Sequence, residues 1–334
     1  MTTHKNPHIN THTHKHTQNS YIDGECDLNF ENSNPKGVPG HNTTNECLVF
    51  ESLLNAASSS LPSIPSTLEY DLVDSARQCL DNILWDVSRV LEGAFRRGDL
   101  NATSNLARTW FNLAETLDTL LNSNTNFMIG PWLEQAHNTA QGDAQTELLD
   151  YNARNQITLW SPKQSSLSDY ARKMWGGLLS TYHVRGRWGI TIEAALYSLR
   201  SNTTLNHTAI NIAIAKHEIA WQTNTSQAFP IVPTSNLMDI AYHALNEYVV
   251  GVTTSSFTFI ENADVDRDFD LLPQSSWTRL VGTLAFLCSS DPMCVGFNSN
   301  GVLISHRSVN GSAFSPRHDI IDRMGVNLYL STSK

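Results

Sequence analysis

Between Tyr70 and Phe95 apolar residues fall at Leu72, Val73, Ala76, Cys79, Leu80, Ile83, Leu84, Val87, Val90, Leu91, Ala94 and Phe95, with hardly a lapse. Steps of three and four keep all of them on one stripe of a helix. The pattern predicts a helix of about seven turns, closed by Gly98, a residue that accepts the left-handed conformation common just past a helix end. A stripe of that length must be buried against other elements, which commits the chain to a multi-helix core.

The rest of the pattern agrees. Leu106, Trp110, Leu113, Leu117 and Leu120 stripe a second helix, and Phe127 to Ala136 gives a short turn and helix around Gly130-Pro131. A helix is expected from Ala144 to Trp160, another along Tyr170, Met174, Leu178 and Tyr182, then Ile190–Leu199 and Ala209–Trp221. Leu237, Ile240, Ala241, Ala244, Leu245 and Tyr248 close the series, with Thr234 or Ser235 as the expected N-cap. The expectation is an all-α domain of about seven or eight helices over residues 49–249, without a solenoid repeat. Residues 21–48 lack periodicity and read as loop, and 56–67 as a short linker. After Tyr248 the texture changes. Val249–Ile260 is β-branched and aromatic, a strand signal; Trp277–Cys288 reads as a helix, and Cys294–Leu303 and Val326–Leu330 read as strands. A small α+β domain over 252–334 is expected.

With 334 residues and 40% hydrophobic content, the chain has room for two globular domains. A net charge of −10 and the lack of a basic block argue against nucleic acid, whose binding rests on phosphate neutralisation. Even Val281–Cys288 is far too short to span a bilayer, so no membrane partner is expected. Residues 1–48 form a low-complexity segment whose start has no apolar signal-peptide core. Its His4, His8, His12, His14 and His16 form a tract that can bind transition metals. Thr-His-Thr-His is also what a repeated adenine–cytosine dinucleotide encodes, so the natural amino terminus is expected elsewhere. No Cys/His spacing matches a zinc site, and no metal or cofactor is assigned. Asn42, Asn101, Asn202, Asn206, Asn224 and Asn310 open Asn-x-Ser/Thr sequons, about as many as chance gives in so Asn-, Ser- and Thr-rich a chain.

Among the cysteines, Cys79 lies on the apolar stripe and reads as a buried thiol. Cys288 and Cys294 are close enough to pair across a turn, and Cys26 and Cys47 are left as a further candidate pair. An oxidising compartment is favoured.

The stretch with most chemistry is Tyr151-Asn-Ala-Arg-Asn-Gln-Ile-Thr-Leu-Trp-Ser-Pro162. At helical spacing, Asn152, Gln156 and Trp160 share one face at i, i+4 and i+8, and the helix is expected to run until Ser161-Pro162 breaks it. Amides that end in an aromatic suit a hydroxylated ligand such as a sugar. The same residues also suit a buried polar network that fixes a helix packing. Glu134, Glu147, Asp150, Asp169, Glu193 and Glu218 are scattered over the expected helices and read as solvated surface or helix pairing, so none is named as catalytic.

Several of these motifs, in order, resemble one family. Tyr70-Asp-Leu-Val-Asp74 with Arg77-Gln78, Gly130-Pro-Trp-Leu-Glu-Gln-Ala136, Asn152-Ala-Arg-Asn-Gln-Ile-Thr-Leu-Trp160, Asp169-Tyr170-Ala171, Arg187-Trp188 and Asp239-Ile-Ala241 are similar to the helical domain of lysosomal-type α-N-acetylglucosaminidases. That resemblance implies a retaining glycosidase that removes terminal α-linked N-acetylglucosamine, as from heparan sulfate, in the lysosomal/vacuolar or extracellular branch of the secretory pathway. Retention requires two carboxyl groups about 5 Å apart. The resemblance places both in a (β/α)8 barrel preceding the helical domain, and a barrel needs about 200–250 residues. Only residues 1–48 precede the match. The expectation is therefore a carboxy-terminal portion without the catalytic barrel, inactive alone, with no catalytic residue carried over.

By the same resemblance, Trp160 and Tyr170 are the sugar-contacting aromatics, with Asn152 and Gln156 beside them on the pocket wall. Arg154 and Asn155 hold the helix against its neighbours. Cys288-Ser-Ser-Asp-Pro-Met-Cys294-Val-Gly-Phe-Asn-Ser-Asn-Gly301 and the ending Gly325-Val-Asn-Leu-Tyr-Leu330 resemble a PAN/apple module over about 252–332. That resemblance implies a Cys288–Cys294 core disulfide and a protein or carbohydrate ligand. A chain that works through this module alone would be a non-catalytic binding protein, the alternative to the hydrolase.

Overall fold

The computed structural model describes residues 43–160 and 175–250 continuously, then segments 257–260, 263–265, 281–291, 294–298, 303–305, 320–322 and 328–331. The expected long helix is α2, Ser66–Arg96. Its stripe from Leu72 to Ala94 is buried without exception. The helix is more deeply set than an amphipathic one needs to be, because Asp81, Asn82, Asp86, Ser88 and Glu92 are buried as well. α3 (Leu100–Leu121) packs along it, entered through the Asp99 N-cap, whose carboxylate accepts the Ala102 N–H at 2.9 Å. Trp110 of α3 donates its indole N–H to Ser88 Oγ at 2.8 Å.

Two expectations fail at the start of this core. Residues 43–59, read partly as loop and partly as linker, form α1 (Thr43–Ser59). Cys47, Phe50, Leu54 and Ala57 are fully buried on its inner side. Cys47 is bonded to Cys79, so Cys79 is no free thiol and Cys47 is not available to Cys26, which lies outside the described residues.

A 3-10 turn (Thr125–Phe127) leads to α4 (Ile129–Asn138), and α5 spans Asp143–Gln156. A π-type segment, Leu179–Trp188, follows Leu178 and kinks at Gly186 before α6 (Gly189–Ser201). α7 (His207–Thr223) and α8 (Leu237–Ala244) come next, and a second π-type turn, Leu245–Val250, extends α8. The α8 N-cap is Asn236, which accepts the Asp239 N–H at 3.1 Å. Neither Thr234 nor Ser235 serves, because Ser235 instead donates to the Thr119 carbonyl at 2.7 Å.

Beyond residue 250, the described strands are β1 (Phe257–Ile260), β2 (Ala263–Val265), β3 (Cys294–Asn298), β4 (Leu303–Ser305), β5 (Ile320–Asp322) and β6 (Leu328–Ser331). They pair antiparallel as a four-stranded sheet, β1-β6-β3-β4, and a separate β2-β5 ribbon. α9 (Val281–Ser290) is tied to β3 by the Cys288–Cys294 disulfide. Leu284, Ala285, Leu287 and Phe297 belong to the same buried cluster as α2 and α3. Buried Asp291 accepts from Arg97 at 2.9 Å, and Thr283 donates to the Tyr248 carbonyl at 3.3 Å. The described terminal residues therefore pack into the helical core.

Candidate functional site

α5 has two unlike sides. On the inner one, fully buried Arg154 donates through Nε to buried Asp150 and through Nη2 to the Gln227 carbonyl at 2.9 Å. Its guanidinium lies 4.9 Å from the Trp221 ring centroid and 5.4 Å from that of Phe229. The other Asp150 oxygen meets His137 Nε2 at 2.6 Å. One carboxylate thus ties α4, α5 and, through Arg154, the 227–229 turn. The approach of that turn explains Gly130, since a Cβ there would lie 1.8 Å from the Pro230 carbonyl oxygen.

The helix stops at Gln156, four residues short of the expected end. The cause is local. The Trp132 indole donates to the Ala153 carbonyl at 3.0 Å, and the Thr158 hydroxyl to the Arg154 carbonyl at 2.6 Å. The Trp160 N–H reaches back to the Asn155 carbonyl at 2.7 Å. Carbonyls that would carry another turn are already satisfied, so the chain leaves the helix without exposing bare acceptors. Buried Gln222 on α7 donates to Thr158 Oγ1 at 3.0 Å and fixes the hydroxyl. Trp160 ends in the left-handed region at φ 60° and is 40% exposed.

On the outer side, Asn152 and Gln156 are exposed, so they take no part in a buried network; that network lies on the opposite side of the helix. Leu148 and Tyr151 are exposed beside them. Arg154 is buried, and Asn155 is half-buried with its carbonyl spent on Trp160 and Thr158. Tyr170 and Asp169 lie outside the described residues. Asn152 and Gln156 therefore share one exposed face, with Trp160 just beyond the helix that was expected to include it.

Two of the scattered carboxylates are not surface groups. Asp150 is buried as described, and buried Glu218 on α7 pairs with Arg187 at 3.0 Å and accepts from Tyr182 Oη at 3.4 Å. The Asp150–Arg154 spacing of i, i+4 was visible in sequence; the third partner, the Gln227 carbonyl, was not. Glu134, Glu147 and Glu193 are exposed.

The kinked segment behind α5 is held at both ends. Asp118 of α3 accepts the Gly177 N–H at 2.9 Å and the Ser180 N–H at 3.0 Å, an N-terminal cap supplied from another helix. Burial pushes its carboxyl above the usual range, against the pull of those two amides. At the other end the His217 ring sits against Gly186, where a Cβ would be 2.0 Å from Nε2, and meets the Tyr182 carbonyl at 3.2 Å. Desolvation lowers the His217 pKa, opposed by that hydrogen bond. Trp221, one turn on, donates to Thr181 Oγ1 at 2.9 Å.

Among the described residues no group of three or more His, Cys, Asp or Glu side chains is arranged to hold a metal ion. No helix among them is long and apolar enough to cross a membrane.

This architecture has known counterparts. Residues 4–247 match the model of the alpha-N-acetylglucosaminidase (NAGLU) C-terminal domain. The human alpha-N-acetylglucosaminidase is 28% identical over 203 residues, which covers 60% of this chain and 27% of that protein. A family 89 glycoside hydrolase from Clostridium perfringens, in complex with PUGNAc, superposes with a TM-score of 0.57 at 21% identity, covering 63% of this chain and 24% of that one. A further structure from Clostridium perfringens, in complex with its substrate GlcNAc-alpha-1,4-galactose, gives 0.58 at 20% identity, covering 66% and 26%. The chain thus spans about a quarter of the length of these relatives. With most of its length, α1 to α8 included, matched by that family model, the chain belongs to the α-N-acetylglucosaminidase C-terminal domain family.

Proposed function

We propose that this chain is the carboxy-terminal portion of a glycoside hydrolase acting on terminal α-linked N-acetylglucosamine, and that the outer end of α5 is one wall of its sugar pocket. The carrying observation is the asymmetry of α5. Its inner side is consumed by the Asp150–Arg154 network, and its outer side offers Asn152 and Gln156 and ends in exposed Trp160 at φ 60°. Left-handed backbone costs a non-glycine residue about 1–2 kcal/mol, and such strain clusters at ligand sites. An indole face suits sugar C–H groups, and the amides suit hydroxyl and acetamido groups. Tyr170 is the second aromatic of this wall, with Arg154 and Asn155 as its support. The name of the human relative and the substrate bound to the bacterial one support the substrate class.

The two carboxyl groups of a retaining mechanism belong, in this reading, to a barrel outside the helical domain. Asp150, Glu218 and Asp291 are each committed to an arginine. In this reading the 334-residue chain alone is inactive. Assay of the purified chain on an aryl α-N-acetylglucosaminide should show no turnover above buffer; turnover that survives repurification overturns the reading.

The terminal unit is proposed as a PAN/apple-like module, supported by a helix linked through Cys288–Cys294 to a strand of an antiparallel sheet. As the working part of a stand-alone protein it would bind glycans or proteins without catalysis. Genomic sequence upstream separates the two readings: an in-frame barrel-coding region supports the hydrolase, a promoter and leader the binding protein. The buried disulfides support passage through an oxidising, secretory compartment, lysosomal/vacuolar or extracellular.

A further inference from the structure

We propose that N-linked glycans stand at both ends of α7, on Asn224 at one end and on Asn202 or Asn206 at the other, and that they screen an apolar outer surface of α6 and α7. The inference rests on the secretory compartment proposed above. The number of sequons is uninformative; their placement is not. Asn202-Thr203-Thr204 lies just past α6, Asn206-His207-Thr208 opens α7, and Asn224-Thr225-Ser226 follows its end. In each, both the asparagine and the hydroxyl residue are exposed. Asn101 is exposed too, but its Thr103 is buried and donates to the Asp99 carbonyl at 2.6 Å. Only the sequons around α7 present both groups to solvent among the described residues.

The amide geometry leaves room for the sugar. Asn206 accepts the Ala209 N–H through Oδ1 at 3.0 Å, and Asn224 accepts from Ser226 Oγ through Oδ1 at 2.8 Å. Asn202 is the left-handed C-cap of α6, at φ 52°. Glycosylation replaces one Nδ2 hydrogen and spares Oδ1. The donor is an oligosaccharide on a polyprenyl pyrophosphate: Nδ2 bonds to the anomeric carbon, the C–O bond to pyrophosphate breaks, the lipid pyrophosphate leaves with the electron pair, and one Nδ2 proton is released. Between the modified ends, about 25 Å apart for 17 residues, Ile212 and Ile219 sit one heptad apart on α7 and are 51% and 50% exposed. Tyr197 on the neighbouring α6 is 68% exposed. Bulky, solubilising glycans at the two ends of α7 keep the exposed isoleucines on the stripe between them from recruiting a second copy.

The test expresses the full chain behind a cleavable leader in a eukaryotic secretory host. Peptide N-glycosidase digestion in heavy-oxygen water then marks each formerly modified asparagine for mass spectrometry. The expected result is occupancy at Asn224 and at Asn202 or Asn206. A chain unmodified at either end overturns the proposal. The variant Thr204→Ala, Thr208→Ala, Ser226→Ala removes the sequons but keeps the Asn206 cap, and should raise the self-associated fraction about twofold at equal concentration. If it stays as monomeric as its parent, the screening role is refuted. If that variant is not secreted, enzymatic deglycosylation of the folded parent supplies the same comparison. The leader fixes the route, so failure here counts against the sites; fractionation of the native source tests the compartment separately.

Discussion

The inner and outer sides of α5 are built from similar polar residues and differ in what surrounds them. Asp150 and Arg154 face neighbouring elements that supply His137 and the Gln227 carbonyl as partners, and the guanidinium lies over the Trp221 and Phe229 rings. Asn152 and Gln156, on the same two turns, face solvent. A buried charge must be paired or it unfolds its host, whereas an exposed amide is free to serve a ligand. The contrast separates residues that make the wall from residues that can be the wall.

The contrast breaks most sharply at Arg154. Replacing it with Leu leaves Asp150 buried beside His137 alone and frees the 227–229 turn. Removal of one partner from a buried ion pair typically costs about 3–5 kcal/mol, which urea denaturation would read directly. A loss below about 1 kcal/mol would mean that the inner side is no more structural than the outer. Gly130→Ala attacks the same turn from its other edge. A methyl group 1.8 Å from the Pro230 carbonyl must push that strap away, with an expected loss of about 1–3 kcal/mol. The double variant should lose less than the sum, because both loosen the same 227–230 segment.

The pH dependence sharpens the comparison from behind. His217 belongs to α7, which supplies Gln222 and Trp221 to the inner side of α5. Its folded pKa is lowered from 6.5, so on acidification the unfolded chain takes up the proton first. Its contribution to stability is therefore present above about pH 6.5 and is lost as pH falls toward the folded pKa. His217→Gln keeps a donor for the Tyr182 carbonyl and removes the titration. The melting temperature of the parent relative to this variant should fall between pH 7 and pH 5; a flat difference would refute the assignment. Asp118, raised by burial, works in the opposite sense, and its contribution is lost as pH rises from about 3.8.

The helices were legible wherever a stripe of three and four steps ran unbroken, as in α2 and α3, because burial alone decides those positions. Even α1 carried such a signal in Cys47, Phe50, Leu54 and Ala57, hidden by its Asn- and Ser-rich setting. Its disulfide with Cys79 was invisible for a different reason: a helical stripe cannot distinguish a packed thiol from a bonded one. The end of α5 was misplaced because its stop is not Pro162 but Trp132 and Thr158, one of them 21 residues away from the carbonyl it caps. The outward turn of Asn152 and Gln156 was likewise undecidable from periodicity, which gives a face but not what lies against it. The neighbours that decide it, α7 and the 227–229 turn, lie more than 50 residues down the chain.

The smallest expected effect belongs to the outer side itself. Asn152→Ala and Gln156→Ala alter exposed helical positions, and alanine is the better helix former. Each should change stability by no more than about 0.5 kcal/mol, a shift of about 1–2 °C in melting temperature for a domain of this size. A loss of 2 kcal/mol in either would show that the amide has a structural partner, and the wall would lose its freedom to bind. If stability holds, the same substitutions in a chain joined to the proposed barrel should raise KM for an α-N-acetylglucosaminide with little change in folding. Neutral amide hydrogen bonds contribute about 0.5–1.5 kcal/mol each, so the expected rise is about two- to tenfold. An unchanged KM alongside unchanged stability would remove both amides from the sugar pocket and leave Trp160 to carry that end of α5 alone.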